Sequence, residues 1–234
     1  MLPRTLEPEV MESSEEARDY DAMDHRAVNE SFAADFLAAW QKHRPAGGPP
    51  SQDEPLSVLD CGTGTAQIPI MLARRGMPLR ITAIDLSQEM LEIARRNVDE
   101  ARRGEWIELR NADCKRLSLG DATFDAVMSN SIVHHLAEPL AAIREMLRVL
   151  RPGGLLFIRD LLRPDSMSEL DSLVSKHTVG ATQRQRQLFR DSLHAALTLD
   201  EIRQAVESLG LSPKDCERSS DRHWTVASSV GRKA

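Results

Sequence analysis

The sequence predicts an α/β protein with a mostly parallel sheet covered by helices on both faces, and three observations point there. Short apolar runs (Val58-Leu59, Ile81 to Ile84, Ala126 to Met128) alternate with longer stretches whose apolar residues recur at helical spacing. The runs are apolar inside and polar at their ends, at Cys61, Asp85, Asn111, Ser129-Asn130 and Arg159-Asp160, as in strands buried on both faces. The run through Asp60 ends in an acid and a glycine-rich turn, Cys61-Gly62-Thr63-Gly64-Thr65-Ala66, that opens into a helix.

Taken in order, residues 1–25 are acid-rich with little periodicity, which predicts partial order at best. Asn29 to Gln41 places Phe32, Phe36, Leu37 and Trp40 at helical spacing. His43 to Pro55 is rich in Pro and Gly and reads as a loop. Strands follow at Val58–Cys61 and Arg80–Asp85. The next helix puts Met90, Leu91, Ala94 and Val98 on one face and mostly charged residues on the other. A strand at Phe124–Asn130 precedes a helix from Pro139 to Leu150, predicted to bury Leu140, Ile143, Leu147 and Leu150 and to stop at Pro152-Gly153. Thr198 with Glu201 is a capping box for a helix ending at Gly210, and Ser219 to Trp224 reads as the hairpin of the last two strands. The division expected is an arm, helix and loop over 1–55 and a main domain over 56–234. Within it, 161–197 is too long for a simple connection.

The 234 residues suffice for one domain with appendages, and 41% hydrophobic with 28% charged residues is ordinary for a soluble protein. A net charge of -6 argues against a dedicated nucleic-acid surface. The three cysteines, Cys61, Cys114 and Cys216, lack metal-type spacing and read as reduced thiols. No apolar run approaches a membrane span, so the expectation is a soluble cytoplasmic protein, with no membrane and no nucleic-acid partner.

Glycine lets backbone approach a ligand closely and tolerates positive φ, and a helix start offers N–H groups. A dinucleotide fingerprint requires a small residue where Gln67 stands, and Asp60 would set negative charge beside a pyrophosphate. An ammonium or sulfonium ligand suits Asp60 better, and Asp85 can accept from two ribose hydroxyls.

On these residues the chain resembles the class I S-adenosylmethionine (SAM) dependent methyltransferases, from about Val58 to Asp160. Val58 to Ala66 looks like their glycine-rich motif, Ile84 to Leu91 like the ribose-holding segment, and Asn111-Ala112-Asp113-Cys114 like the adenine turn. Phe124 to Asn130 looks like their fourth strand and Arg151-Pro152-Gly153-Gly154 like the turn before the fifth. The resemblance implies a Rossmann-like, seven-stranded sheet with an inserted helical lid over 161–197, SAM as cofactor and S-adenosylhomocysteine as product. Cofactor contacts would come from Tyr20, Asp60, Cys61, Gly62, Thr63, Gly64, Asp85, Leu86, Met90, Ala112, Asp113, Cys114, Asn130, Ser131 and His135.

Methyl transfer from a sulfonium needs mainly alignment and exclusion of water, with a base only where the acceptor must lose a proton. His134, His135 and Asp160 are the candidate catalytic residues; the bland reading is that the histidines shape a helix start and Asp160 makes a salt bridge to Arg163 or a cap. Arg159, Arg190, His194, Asp221, Arg222 and His223 are candidates for the acceptor side. Lys176, His177, Arg184, Arg186 and Arg190 form a basic stretch that fits an anionic acceptor or a solvated helix face. No metal is expected. A small-molecule methyltransferase, monomeric or homodimeric, is the reading; an RNA or protein methyltransferase, or a SAM-binding protein with other or no chemistry, are the alternatives.

Overall fold

The alternating pattern is realised, in a computed structural model describing residues 2–7, 17–18, 21–23, 25–43, 50–229 and 231, as seven strands and seven α-helices among those residues. Their order is α1 (Arg26–His43), β1 (Leu56–Cys61), α2 (Gln67–Ala73), β2 (Leu79–Asp85), α3 (Gln88–Glu100), β3 (Ile107–Asn111) and β4 (Phe124–Asn130). Then come α4 (Pro139–Val149), β5 (Leu150–Leu161), α5 (Met167–His177), α6 (Gln183–Ala195), α7 (Leu199–Ser208), β6 (Cys216–Arg218) and β7 (His223–Ser229).

The strands form one sheet in the order β3-β2-β1-β4-β5-β7-β6. Strand β1 pairs in parallel with β2 (Val58 opposite Ile81) and with β4 (Val58 opposite Ala126). Because the chain winds outward one way through β2 and β3 and the other way from β4, the crevice at the ends of β1 and β4 is a topological switch point, where α/β sheets bind ligands. The final pair, β6 and β7, is antiparallel.

The chain forms two compact units, one of residues 10–130, 140–158 and 227–234, the other of residues 1–9, 131–139 and 159–226. In the first, Phe32 and Phe36 of α1 meet Phe157 edge-on at ring separations of 5.1 and 5.8 Å. The buried face of α3 is the expected one, with Met90, Leu91, Ala94 and Val98 all enclosed.

Helix α4 differs from expectation. It buries Ala142, Ile143, Met146 and Val149, while Leu140 stays 38% exposed. Its end passes straight into β5 at Leu150 instead of stopping at Pro152-Gly153. The carbonyls of Arg148 and Val149 accept from the N–H groups of Ala122 and Thr123, which draws the chain into strand register at once. Gly154 permits this, since a Cβ there would lie 2.7 Å from the Asp125 carbonyl oxygen. Arg148 ties the same corner together, donating to the Leu117 and Leu119 carbonyls while pairing with Glu145 and Asp121.

In the second unit, α5 and α6 bury Leu170, Leu173 and Leu193 around Leu161 and Ala196, with Phe189 packed alongside. Helix α7 starts with the predicted Thr198–Glu201 capping box, and α6 carries another at Thr182–Gln185 that had not been read from the sequence. Trp224 is fully buried as the hairpin's core residue.

Candidate active site

The glycine turn is tied down by hydrogen bonds within the chain. Gly62 (φ 74°), Gly64 (φ 56°) and Ala66 (φ 62°) take left-handed conformations that reverse the chain between β1 and α2. The N–H groups of Gly62 and Thr63 both donate to the Ile84 carbonyl at 2.9 Å. The Gly64 N–H donates to Asp85 Oδ2 at 2.8 Å, and Ser87 N–H donates to Asp85 Oδ1 at 2.9 Å. These three turn amides are therefore not the free donors that the sequence suggested, and a pyrophosphate would find them already committed.

What faces the cleft instead is a set of acceptors. An open cleft of ≈ 380 Å³ is lined by Asn29, Asp60, Gly62, Thr63, Gly64, Thr65, Gln67, Ile68 and Asn130. Asp60 is 3% exposed, and burial pushes its carboxyl up to about 7; the charge of Asp85 adds to the rise and the Thr63 hydroxyl opposes it. Asn130 Oδ1 is buried with no hydrogen-bond partner among the described residues. Buried acceptors of this kind call for a ligand that brings N–H and O–H donors and positive charge.

A side-chain network not foreseen from the sequence braces this cleft. Asn29 Nδ2 donates to Gln67 Oε1, Gln67 Nε2 to Asp21 Oδ1, and Asn97 Nδ2 to both Asp21 Oδ1 and the Thr65 carbonyl. The only hint was the bulky Gln67 where a dinucleotide site needs a small residue. Further along, Asn111 Nδ2 donates to the carbonyls of Asp85 and Leu86, and the Ala112 N–H to that of Asp85. Leu86 is 41% exposed, Met90 is buried, and Asp113 Oδ1 accepts from the Lys115 N–H at 2.8 Å. Cys61 is buried, with its carbonyl accepting from the Ser129 hydroxyl; Cys114 is half-buried. Tyr20 lies outside the described residues.

The second unit holds a different cluster. Ser131 (φ 58°) turns the chain, its N–H donating to the Arg159 carbonyl, and a short 3-10 turn, Val133–His135, follows. Asp160 is fully buried behind that turn: Oδ2 accepts the Val133 N–H and Oδ1 meets His134 Nδ1 at 2.5 Å. Asp160 therefore pairs with His134, whereas Arg163 pairs with Glu201 and the Ala196 carbonyl. Burial alone would lower the His134 pKa, but Asp160 and then Glu7 raise it above its ordinary value. Burial would likewise raise Asp160, and His134 with the Leu161 and Val133 amides holds it below the usual range.

Glu7 is the residue of this cluster that sequence reasoning missed, since it stands in a stretch read as a plain acidic arm. Its Oε1 lies 3.4 Å from His134 Nε2 and 3.1 Å from His135 Nδ1. Arg4 fixes the segment, donating to the carbonyls of His134, Leu136 and Ala195, and the Thr5 N–H donates to the His194 carbonyl.

The remaining acceptor-side candidates spread over this unit. Arg190 pairs with Asp171, and Lys176 and His177 both meet Asp221, so these residues of the basic stretch face acids. Arg222 is half-buried and sits 5.5 Å over the Phe189 ring. Arg159 is buried and donates to Thr225 Oγ1, and His223 Nδ1 meets Ser220 Oγ at 2.8 Å. His194 Nε2 is buried with no hydrogen-bond partner among the described residues.

Comparison with known proteins agrees with the motif and the fold. Residues 59–158 match the family described as "Methyltransferase domain". The chain is 29% identical over 173 residues to a 27-O-demethylrifamycin SV methyltransferase of Amycolatopsis mediterranei, covering 73% of this chain and 60% of that one. It is 36% identical over 110 residues to a ubiquinone biosynthesis O-methyltransferase of Methylocella silvestris, covering 47% of this chain and 41% of the relative. The chain thus spans about half the length of the curated relatives it matches. Among solved structures, the plantazolicin methyltransferase BpumL in complex with S-adenosylhomocysteine shares the fold with a TM-score of 0.70 at 17% identity, covering 92% of this chain and 89% of that one. Motif, sheet order and sequence match thus point the same way: residues 59–158 are similar to a methyltransferase domain, set in a fold shared with solved S-adenosylmethionine-dependent methyltransferases.

Proposed function

We propose that this chain is a SAM-dependent methyltransferase acting on a small-molecule acceptor. The observation that carries the reading is the Asp60 cleft: a buried carboxylate beside a glycine turn whose first N–H groups are committed to β2. Such a site attracts an amino-acid ammonium and repels a pyrophosphate. SAM, when bound, supplies a methyl on a sulfonium, which is activated without further help. Asp60 and Asn130 would take the amino-acid end, Asp85 the ribose hydroxyls, Leu86 and Met90 the faces of the adenine, and Asp113 with Ala112 and Cys114 its edge.

Acceptor recognition falls to the second unit, with α5 and α6 as the lid over 161–197. Since Arg190, Lys176 and His177 already have acidic partners, an anionic acceptor would be read by Arg222 and Arg159. His223, His194 and Asp221 complete that side. His134 and His135, with Asp160 positioning the first, are the groups on offer where an acceptor must lose a proton. The relatives named for rifamycin and ubiquinone biosynthesis support a small acceptor. A cytoplasmic setting goes with three free cysteines, and no helix among the described residues is long and apolar enough to cross a membrane.

Calorimetry tests the donor side. S-adenosylhomocysteine binds, oxidised nicotinamide dinucleotide does not, and Asp85→Ala weakens binding at least about 10-fold, since it removes a ribose partner and an acceptor of the Gly64 and Ser87 amides. Labelled methyl should then pass from SAM into a metabolite pool. Transfer into RNA or protein instead, or tight binding with no transfer to any pool, would replace the small-molecule reading.

A further inference from the structure

Beyond the donor site, we infer that Glu7, His134 and His135 form a binding site for one divalent transition-metal cation of the zinc type. The ligand atoms are Glu7 Oε1, His134 Nε2 and His135 Nδ1, and all lie within 4.8 Å of one another. The separations of 3.4 Å and 3.1 Å from Glu7 Oε1 to the two imidazole nitrogens match the edges of a metal tetrahedron. An ion bonded at ~2.0–2.1 Å sets such edges at about 3.3 Å.

Three independent features make this a built site. Asp160 holds His134 Nδ1 at 2.5 Å, fixing the ring so that Nε2 points at Glu7, the carboxylate–histidine support that metal-bound imidazoles commonly carry. Glu7 has its Oε2 engaged by the Ser192 hydroxyl, while its Oε1 is buried with no hydrogen-bond partner among the described residues. Arg4 clamps the segment bearing Glu7 through three backbone carbonyls, so the carboxylate is held in place and not merely near.

Glu7 and Asp160 set two carboxylates about the His134 ring, and a cation on Nε2 would take the place of the proton they draw there. Two imidazoles and one carboxylate favour borderline cations such as Zn2+ over Mg2+ or Ca2+, which prefer oxygen ligands. The His135 side chain is 23% exposed, so one side of the site remains open to water or to an acceptor oxygen. A cation there would acidify a bound hydroxyl and take the place of a free histidine base.

The experiment uses untagged full-length protein stripped with a chelator, then dialysed against Zn2+ and, separately, titrated with Co2+. The expected results are one Zn2+ per chain and the visible absorption of low-symmetry Co2+ with nitrogen ligands. Glu7→Gln and His135→Gln each lower the affinity at least about 100-fold while far-UV circular dichroism stays unchanged. Asp160→Asn, which acts only through His134, lowers it about 10- to 100-fold. No stoichiometric uptake, or uptake unaltered in both Glu7→Gln and His135→Gln, overturns the inference. S-adenosylhomocysteine binding measured on the same stripped protein separates this outcome from a failure of the methyltransferase reading.

Discussion

Asp60 concentrates the electrostatic cost of the donor cleft in one side chain. Its carboxyl titrates at about 7 in the fold against 3.8 for a free group, so between those values the folded chain keeps a proton that the unfolded chain has lost. Stability therefore falls as pH rises from about 4 to 7 and is level beyond. Urea unfolding at pH 5 and pH 8 should show the native protein losing roughly 2–3 kcal/mol more than Asp60→Asn, at about 1.4 kcal/mol per pH unit. Ligand binding runs the other way, because an ammonium wants the ionised carboxylate. Affinity for S-adenosylhomocysteine should climb up to pH about 7 and then flatten, and Asp60→Asn should cost about 10- to 100-fold and abolish the slope.

At the scale of elements, the junction of α4 and β5 leaves no room for a side chain at Gly154. A methyl on Gly154 would meet the Asp125 carbonyl at 2.7 Å and the Arg151 carbonyl at 2.9 Å, both backbone. Gly154→Ala should lower stability by ~1–3 kcal/mol in chemical denaturation, with a loss under 0.5 kcal/mol marking the backbone as able to yield. The same junction shows where sequence reading stops. Strand ends, capping residues and the α3 face were legible because each depends on neighbours in the chain. Pro152-Gly153 read as a break because local propensity speaks against strand, whereas the deciding contacts come from Ala122, Thr123 and Asp125 far along the sequence. Leu140 was assigned inward on periodicity alone, and Ala142 and Met146 took the enclosed positions instead.

For the molecule as a whole, saturation of the donor site should add about 2.7 kcal/mol of stability at a ligand concentration of 100 times Kd. A calorimetric scan with S-adenosylhomocysteine should show the rise in melting temperature, and oxidised nicotinamide dinucleotide should leave it unmoved. The residues proposed for the donor cluster within motifs of a few positions each, so the chain alone was enough to single them out. Glu7 and Asp21 were not, since both act across more than 40 positions of chain, on His134 and on Gln67 and Asn97. For the basic stretch over 176–190, the acids that pair with Lys176, His177 and Arg190 are Asp221 and Asp171, both outside the stretch itself.

The glycine bend fastened to Ile84 and Asp85 has a kinetic corollary. If the proposed function holds, a cradle tied by its own chain's hydrogen bonds has no ordering step to complete, so cofactor capture should be a single encounter, its observed rate climbing in proportion to concentration without a plateau. Turnover would then be limited by departure of the spent nucleoside or by the acceptor, and resistance to competitive nucleoside inhibitors would have to arise by loosening that bend.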